Sequence, residues 1–302
     1  MSRISGYLFG LFAVVVWGVT FTTTKQLLRV FPSTEILFLR FLLGYAALWA
    51  LAPRRMPWQG WRGEALLSLA GATGIAFYFL FENMALRHAG AGMVSVVVCT
   101  SPLLTALMVQ CLGRTRLSRG YWLGFALAFG GVALTVSRGD VASLRGAALG
   151  AGLAAAGAVT WAVYTLVSQR LRPVVGALAL LRRIFFWGLL WMLPFCLPVV
   201  DTWSFAPLRD FTTRWQLLFL GLVASAFCYV AWQIAVTRLG GIRATLLLYL
   251  NPVVGVMTAA LILNEPFTLP ILIGVALTFC GLTLSTLASK LSLIHISEPT
   301  RR

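Results

Sequence analysis

The sequence predicts an all-α membrane protein: ten transmembrane helices arranged as two inverted-topology five-helix repeats. Three observations carry that reading. The 302 residues are 60% hydrophobic and only 11% charged, whereas a soluble chain carries about 25% charged residues. The apolar residues gather into ten runs, each long enough to cross a bilayer as a helix. The first five runs resemble the last five, and an odd number of crossings per half turns the second half upside down.

The runs lie near 6–24, 34–52, 64–85, 91–111, 119–137, 147–168, 177–198, 214–236, 243–263 and 268–288. They do not alternate polar and apolar residues as barrel strands do, so helices are expected throughout. The first run follows only Arg3 and has no small-residue cleavage site after it, so it reads as helix 1 rather than a leader. Cys99, Cys111, Cys196, Cys228 and Cys280 all fall inside expected helices, which predicts no disulfide, no metal site and no cofactor. The tail Leu291–Arg302 (LSLIHISEPTRR) changes abruptly in character and reads as a cloning or frame-shift remnant. The expected organisation is a first repeat over 1–140, a second over 146–290, and this tail over 291–302.

The formal charge of +16 raises the question of nucleic acid, and its distribution answers it. With the N-terminus inside, 16 of the 24 basic residues fall on the inner side, which nets +14 against +2 outside. This asymmetry predicts that both termini are cytoplasmic. The arginines are then topology signals facing anionic membrane lipid, and no nucleic-acid partner is expected.

The repeat is legible without gaps. At a shift of 150, thirteen pairs are identical between positions 67 and 134, among them Gly71/Gly221, Pro102/Pro252, Gly124/Gly274 and Gly131/Gly281. Helix 1 matches helix 6 at a shift of 144, with Gly6/Gly150, Trp17/Trp161, Val19/Val163 and Leu27/Leu171. Apolar composition alone does not readily align Gly, Pro and Trp in one register.

These segments carry a family resemblance: WGVTF at 17–21, "ALRHAGAGMVSVVVCTSPLLTAL", and "RLGGIRATLLLYLNPVVGVMTAALILNEPFTLPILIGVALTFCGL". Over about residues 5–289 the chain resembles the ten-helix, EamA-type branch of the drug/metabolite transporter superfamily. Asn264-Glu265-Pro266 stands where that family usually shows a Gly-Glu pair, and the equivalent first-half position, Thr115, departs from the pattern. The resemblance implies the fold and a carrier function. It leaves the substrate open among amino acids, metabolites and drugs.

Candidate site residues follow from spacing. Trp17, Thr20, Phe21 and Thr24 share one stripe of helix 1, and Trp161, Tyr164, Thr165 and Ser168 repeat it on helix 6. Such a stripe forms either a cavity wall or a helix contact with back-bonded hydroxyls. Helix 3 offers Tyr78, Phe79, Glu82 and Asn83, and the repeat sets Tyr229, Trp232 and Gln233 opposite the last three. Glu82 either meets a substrate ammonium or a proton, or is an interfacial carboxylate paired with Arg87 or Lys25. Arg40 is a carboxylate partner or a snorkelling charge. Pro102 and Pro252 are expected to kink the middles of helices 4 and 9, as gating elements or as structural bends. Ser95, Cys99, Ser101, Thr245, Tyr249 and Asn251 share those helices. Glu265 is expected to cap helix 10, and Gly6/Gly10, Gly120/Gly124 and Gly146/Gly150 to mark close helix contacts within a monomer. The outer set (Trp17, Phe21, Tyr78, Cys99) and the inner set (Trp161, Tyr164, Tyr229, Tyr249) are expected to line two symmetry-related half-paths.

Aromatic walls with hydroxyls and few buried cations suit a zwitterion with a large apolar side chain, or a flat organic cation, better than a phosphorylated substrate. The chain is similar to bacterial exporters of aromatic amino acids within the family. That resemblance implies an inner-membrane exporter of aromatic or apolar amino acids working by alternating access. A polyspecific drug or organic-cation exporter is the alternative. An enzyme is not expected, because His88 and His295 form no catalytic cluster. A non-transporting receptor or scaffold would have no need of an inverted duplication. Few buried carboxylates favour facilitated diffusion over strict proton antiport.

Overall fold

Backbone polar groups in hydrocarbon must be satisfied within their own segment, so the apolar runs form helices. The computed structural model describes residues 3–53, 55–112, 117–137, 141–171, 176–239 and 247–297. Ten helices follow in chain order: α1 (Arg3–Leu27), α2 (Ser33–Leu51), α3 (Gly60–His88), α4 (Ala91–Cys111), α5 (Arg119–Ser137), α6 (Val141–Ser168), α7 (Ala177–Cys196), α8 (Phe211–Leu239), α9 (Asn251–Leu263) and α10 (Leu269–Ser297). No strand occurs among the described residues. Nine of these helices are long and apolar enough to span a membrane; α9 has 13 residues because the chain turns just before it. Helix α10 runs past Leu291, so the expected tail continues the helix to Ser297.

Local chemistry sets the helix ends. Pro32 stands at the N-cap of α2 with φ −58°, its ring-fixed value. Asp210 starts α8 by accepting the Thr213 N–H at 2.7 Å, an interaction that holds its carboxyl below the usual range. Asn264 closes α9 in the left-handed region at φ 54°. Asparagine is the residue other than glycine that most readily takes this conformation.

The two halves interleave through glycines. Gly131 lies so close to Gly274 that an added Cβ would sit 2.4 Å from the Gly274 carbonyl oxygen. A Cβ on Gly124 would sit 2.6 Å from the Gly281 oxygen. These four glycines are two repeat-equivalent pairs, each meeting the other's copy across the antiparallel α5–α10 contact. At its centre the Thr278 hydroxyl reaches the Ala128 carbonyl at 3.4 Å, and positions 128 and 278 are the same repeat position. A pseudo-two-fold axis therefore passes between α5 and α10.

The other contacts obey the same axis. Gly44 of α2 packs against Gly221 of α8, and its equivalent Gly188 of α7 packs against Gly71 of α3. Gly6 meets Leu239, and its equivalent Gly150 meets Ala89. Gly10 meets Leu247 and Gly120 meets Ala288, so these small residues make contacts inside one chain, while the side-chain position of Gly146 lies outside the described residues. A π-helical segment recurs in corresponding places, Ala72–Phe77 in α3 and Phe219–Phe227 in α8.

Pro102 falls near the middle of α4, and at both prolines the helix is broken rather than only bent. Each sits in the first turn of a helical segment, Ser101–Cys111 for Pro102 and Asn251–Leu263 for Pro252. Residues 99–100 and 249–250 form turns just before them. A proline fits the first helical turn, where its missing N–H is not needed. The outcome is two breaks in equivalent places, with Cys99 and Tyr249 at the break points.

Candidate substrate cavity

One cavity of about 670 Å³ occupies the bundle interior, within the range of small-molecule sites. From α1 it is lined by Trp17, Thr20 and Phe21; from α3 by Tyr78, Phe79 and Glu82; from α6 by Trp161 and Tyr164. Cys99, Tyr229, Trp232, Tyr249 and Asn251 complete the wall from the second half and the α4 break. Most of the candidate site residues thus border this one space. Pro102 lines it as well, whereas Pro252 does not. The outer and inner sets do not form two separate half-paths: the α1–α8 and α3–α6 pairings bring both around a common chamber.

The rings touch across the halves. Trp17 lies 5.5 Å from both Tyr229 and Trp232, and its Nε1–H donates to the Ala224 carbonyl at 3.0 Å. On the other wall Tyr78 lies 4.8 Å from Trp161, which lies 5.0 Å from Tyr164. The stripe hydroxyls serve both expected roles. Thr20 and Thr165 donate to Trp17 and Trp161 carbonyls of their own helices while facing the cavity, and so does Ser168 to Thr165. Thr24 is fully buried away from it.

Charge enters at two points. Glu82 is 1% exposed, and its Oε1 has no hydrogen-bond partner among the described residues. It pairs with neither Lys25 nor Arg87, contrary to the interfacial alternative, because Lys25 is already engaged. The Lys25 ammonium lies 3.1 Å from Glu265 and donates to the Ala89 carbonyl at 2.6 Å. Arg40, also buried, donates from Nε to Ser225 Oγ at 2.7 Å, and its guanidinium stacks 4.4 Å over the Phe79 ring. Arg40 and Glu82 are within electrostatic reach of each other, yet the ion pairs among the described residues are Lys25–Glu265 and Arg183–Glu64.

Some expectations fall elsewhere. Asn83 turns from the cavity to donate to the Ser33 carbonyl at 3.2 Å, while its repeat equivalent Gln233 lines it. Ser95 donates to Gly92 and packs on Gly255, outside the cavity. Thr245 and Thr115 lie outside the described residues. Glu265 does not cap α10. Its carboxylate accepts from Ala91 N at 2.7 Å and Gly92 N at 3.2 Å, capping α4 in the opposite half. Sequence reasoning passed over Ser225, whose hydroxyl fixes Arg40; a small polar residue among apolar ones gives little signal.

The cavity is one-sided. It extends to Ser168, Gln169, Leu171 and Ala177, at the end of the bundle where α1 begins and α10 finishes. No lining residue comes from the loops at the opposite end, where Lys25, Glu265 and the α4 N-terminus are joined.

The sequence profile of the EamA-like transporter family matches residues 4–137 and again residues 148–287. The chain belongs to the EamA-like transporter family. A probable amino-acid metabolite efflux pump of Salmonella typhimurium is 30% identical over 293 residues, covering 93% of this chain and 94% of the relative. A probable terminal-alkyne amino-acid exporter of Streptantibioticus cattleyicolor is 27% identical, covering 80% and 79%. An uncharacterized transporter of Archaeoglobus fulgidus is 25% identical, covering 89% and 94%. A solved crystal structure shares the fold at a TM-score of 0.64 and 22% identity, over 95% of this chain and 99% of that one. The EamA-like chain is therefore a multi-pass membrane transporter, and its named relatives are transporters and efflux pumps rather than enzymes.

Proposed function

We propose that this EamA-like protein exports aromatic or other apolar amino acids and related metabolites across a bacterial inner membrane by alternating access. The observation that carries this reading is the one-sided aromatic cavity at the junction of the two repeats. Such junctions are where inverted-repeat carriers hold substrate. The positive-inside asymmetry supports cytoplasmic termini, and with them a cavity that opens to the cytoplasm. This is the side from which an exporter loads. Relatives named as amino-acid efflux proteins support the substrate class. In this reading Trp17, Phe21, Tyr78, Phe79, Trp161, Tyr164, Tyr229, Trp232 and Tyr249 contact the apolar part of the substrate. Thr20, Glu82, Cys99 and Asn251 contact polar groups, and the breaks at Pro102 and Pro252 allow the helices to re-angle.

A second reading, polyspecific export of flat organic cations, draws on the same aromatic walls and the buried Glu82. Uptake of labelled phenylalanine or tryptophan into vesicles reconstituted with the protein, with and without a pH gradient, decides between them. Saturable uptake blocked by excess unlabelled amino acid supports the first. Uptake of an aromatic organic cation with none of the amino acids supports the second.

A further inference from the structure

Charge breaks the repeat symmetry at two cavity positions. Glu82 of the first half corresponds to Trp232 in the second at the shift of 150, and Arg40 to Ile184 at the shift of 144 that also relates Gly44 to Gly188. All four line the cavity. Ser225, which holds Arg40, corresponds to Ile75. A duplicated scaffold thus carries one acid, one guanidinium and the hydroxyl that orients it where the other copy has only apolar residues. These groups do not form an ion pair with each other.

Leaving two opposite charges buried and unpaired is costly. They are stable together when a third body supplies the missing partners. Arg40 is fixed by Ser225 at one nitrogen and by the Phe79 face at 4.4 Å, so the rest of its planar fork has a defined direction. Such a fork matches a carboxylate. Glu82 Oε1 is an acceptor without a donor among the described residues, while the Tyr78 hydroxyl hydrogen-bonds the same carboxylate. That setting matches an ammonium.

We propose that Glu82 and Arg40 read the ammonium and carboxylate of one zwitterionic ligand, and so set specificity for amino acids over singly charged analogues. This rests on the reading of the cavity as a substrate site. The aromatic walls then take the side chain.

The test compares L-phenylalanine, phenethylamine and 3-phenylpropionate as competitors of labelled phenylalanine in reconstituted vesicles. It uses the parent chain, Glu82→Gln and Arg40→Gln, with Glu82→Asp and Arg40→Lys as conservative partners. Melting of each variant in detergent confirms that it is folded. The parent should favour phenylalanine at least tenfold over both analogues. Glu82→Gln should erase the preference over phenylpropionate while keeping that over phenethylamine. Arg40→Gln should do the reverse, and the conservative partners should recover part of each. If the parent carries phenylalanine but phenethylamine competes equally, or if both preferences survive in folded Glu82→Gln and Arg40→Gln, the charge-reading proposal is wrong and the substrate reading stands. If the parent takes up no amino acid, both fall together.

Discussion

The Glu265 carboxylate caps the N-terminus of α4 by accepting the Ala91 N–H at 2.7 Å, although the two residues lie in opposite halves of the chain. With Lys25 at 3.1 Å, this joins α1, α4 and the α9–α10 loop at the end where the cavity is closed. Glu265→Gln keeps the shape and removes the charge. Charge-assisted hydrogen bonds contribute about 1.5–3 kcal/mol each, and an anion at a helix N-terminus adds about 0.3–1 kcal/mol. The variant is expected to melt lower in detergent and to open this end more often. Labelling of a cysteine introduced at Ala89 with a membrane-impermeant reagent measures the opening. Equal labelling in parent and variant would show that the junction is not a closure.

Cys99 lies at the α4 break and lines the cavity, whereas Cys111 and Cys280 are exposed on the outside of the bundle. A chain retaining Cys99 alone should react with small thiol reagents entering from the side of the termini. Excess substrate should slow that reaction several-fold. Reaction only from the opposite side would contradict the cavity's direction.

The Trp161 and Tyr78 rings meet on one wall with centroids 4.8 Å apart and planes tilted by 52°. An aromatic contact adds about 0.5–1.5 kcal/mol beyond burial. Trp161→Ala should therefore weaken substrate binding roughly two- to tenfold, and Trp161→Phe should restore most of it. The half-saturation concentration for uptake is the readout.

The α5–α10 contact leaves no room for a methyl group at Gly131, while Gly130 beside it faces open space. Overpacking costs about 1–3 kcal/mol. Gly131→Ala should lower the melting midpoint, and Gly130→Ala should leave it unchanged. Equal effects would mean that the two helices are not in contact at Gly131.

Asn264 at φ 54° offers a backbone test. A left-handed residue with a Cβ costs about 1–2 kcal/mol, least for asparagine. Asn264→Gly should be neutral or stabilising and Asn264→Val destabilising, by thermal unfolding of purified protein. A stabilising valine would show that this turn is not left-handed.

The helices were legible because hydrophobic run length is a one-dimensional signal, and α1 through α8 keep nearly the expected limits. The cavity wall was legible for a different reason. Residues such as Trp17 and Trp161 mark the same repeat position, and a symmetric pair of stripes is brought together by the axis that relates them. What escaped was long-range partnering. Glu265 lies three residues before Thr268, so proximity in sequence pointed to α10, and only folding brings it 174 residues back to Ala91. The prolines mark where the helices are interrupted, but a proline within an apolar run reads the same whether it kinks one helix or opens the first turn of a new segment. Glu82 reads from the sequence either as a cavity acid or as an interfacial carboxylate, and only the helices packed around it, which leave it 1% exposed, decide against the interface.

The meeting of Ala128 with Thr278 has a consequence beyond packing. A residue that touches its own copy across a two-fold axis belongs to an isologous patch, the kind that joins two identical subunits. One five-helix half carries on α5 a surface complementary to itself. Cutting the chain between α5 and α6 should therefore leave two pieces that recognise each other without the covalent link. Within one chain the two copies of that patch need not be identical. Position 278 carries a hydroxyl that its mate at 128 lacks, and that hydroxyl, which donates to Gly274 of its own helix at 2.8 Å, also reaches the mate's carbonyl at 3.4 Å.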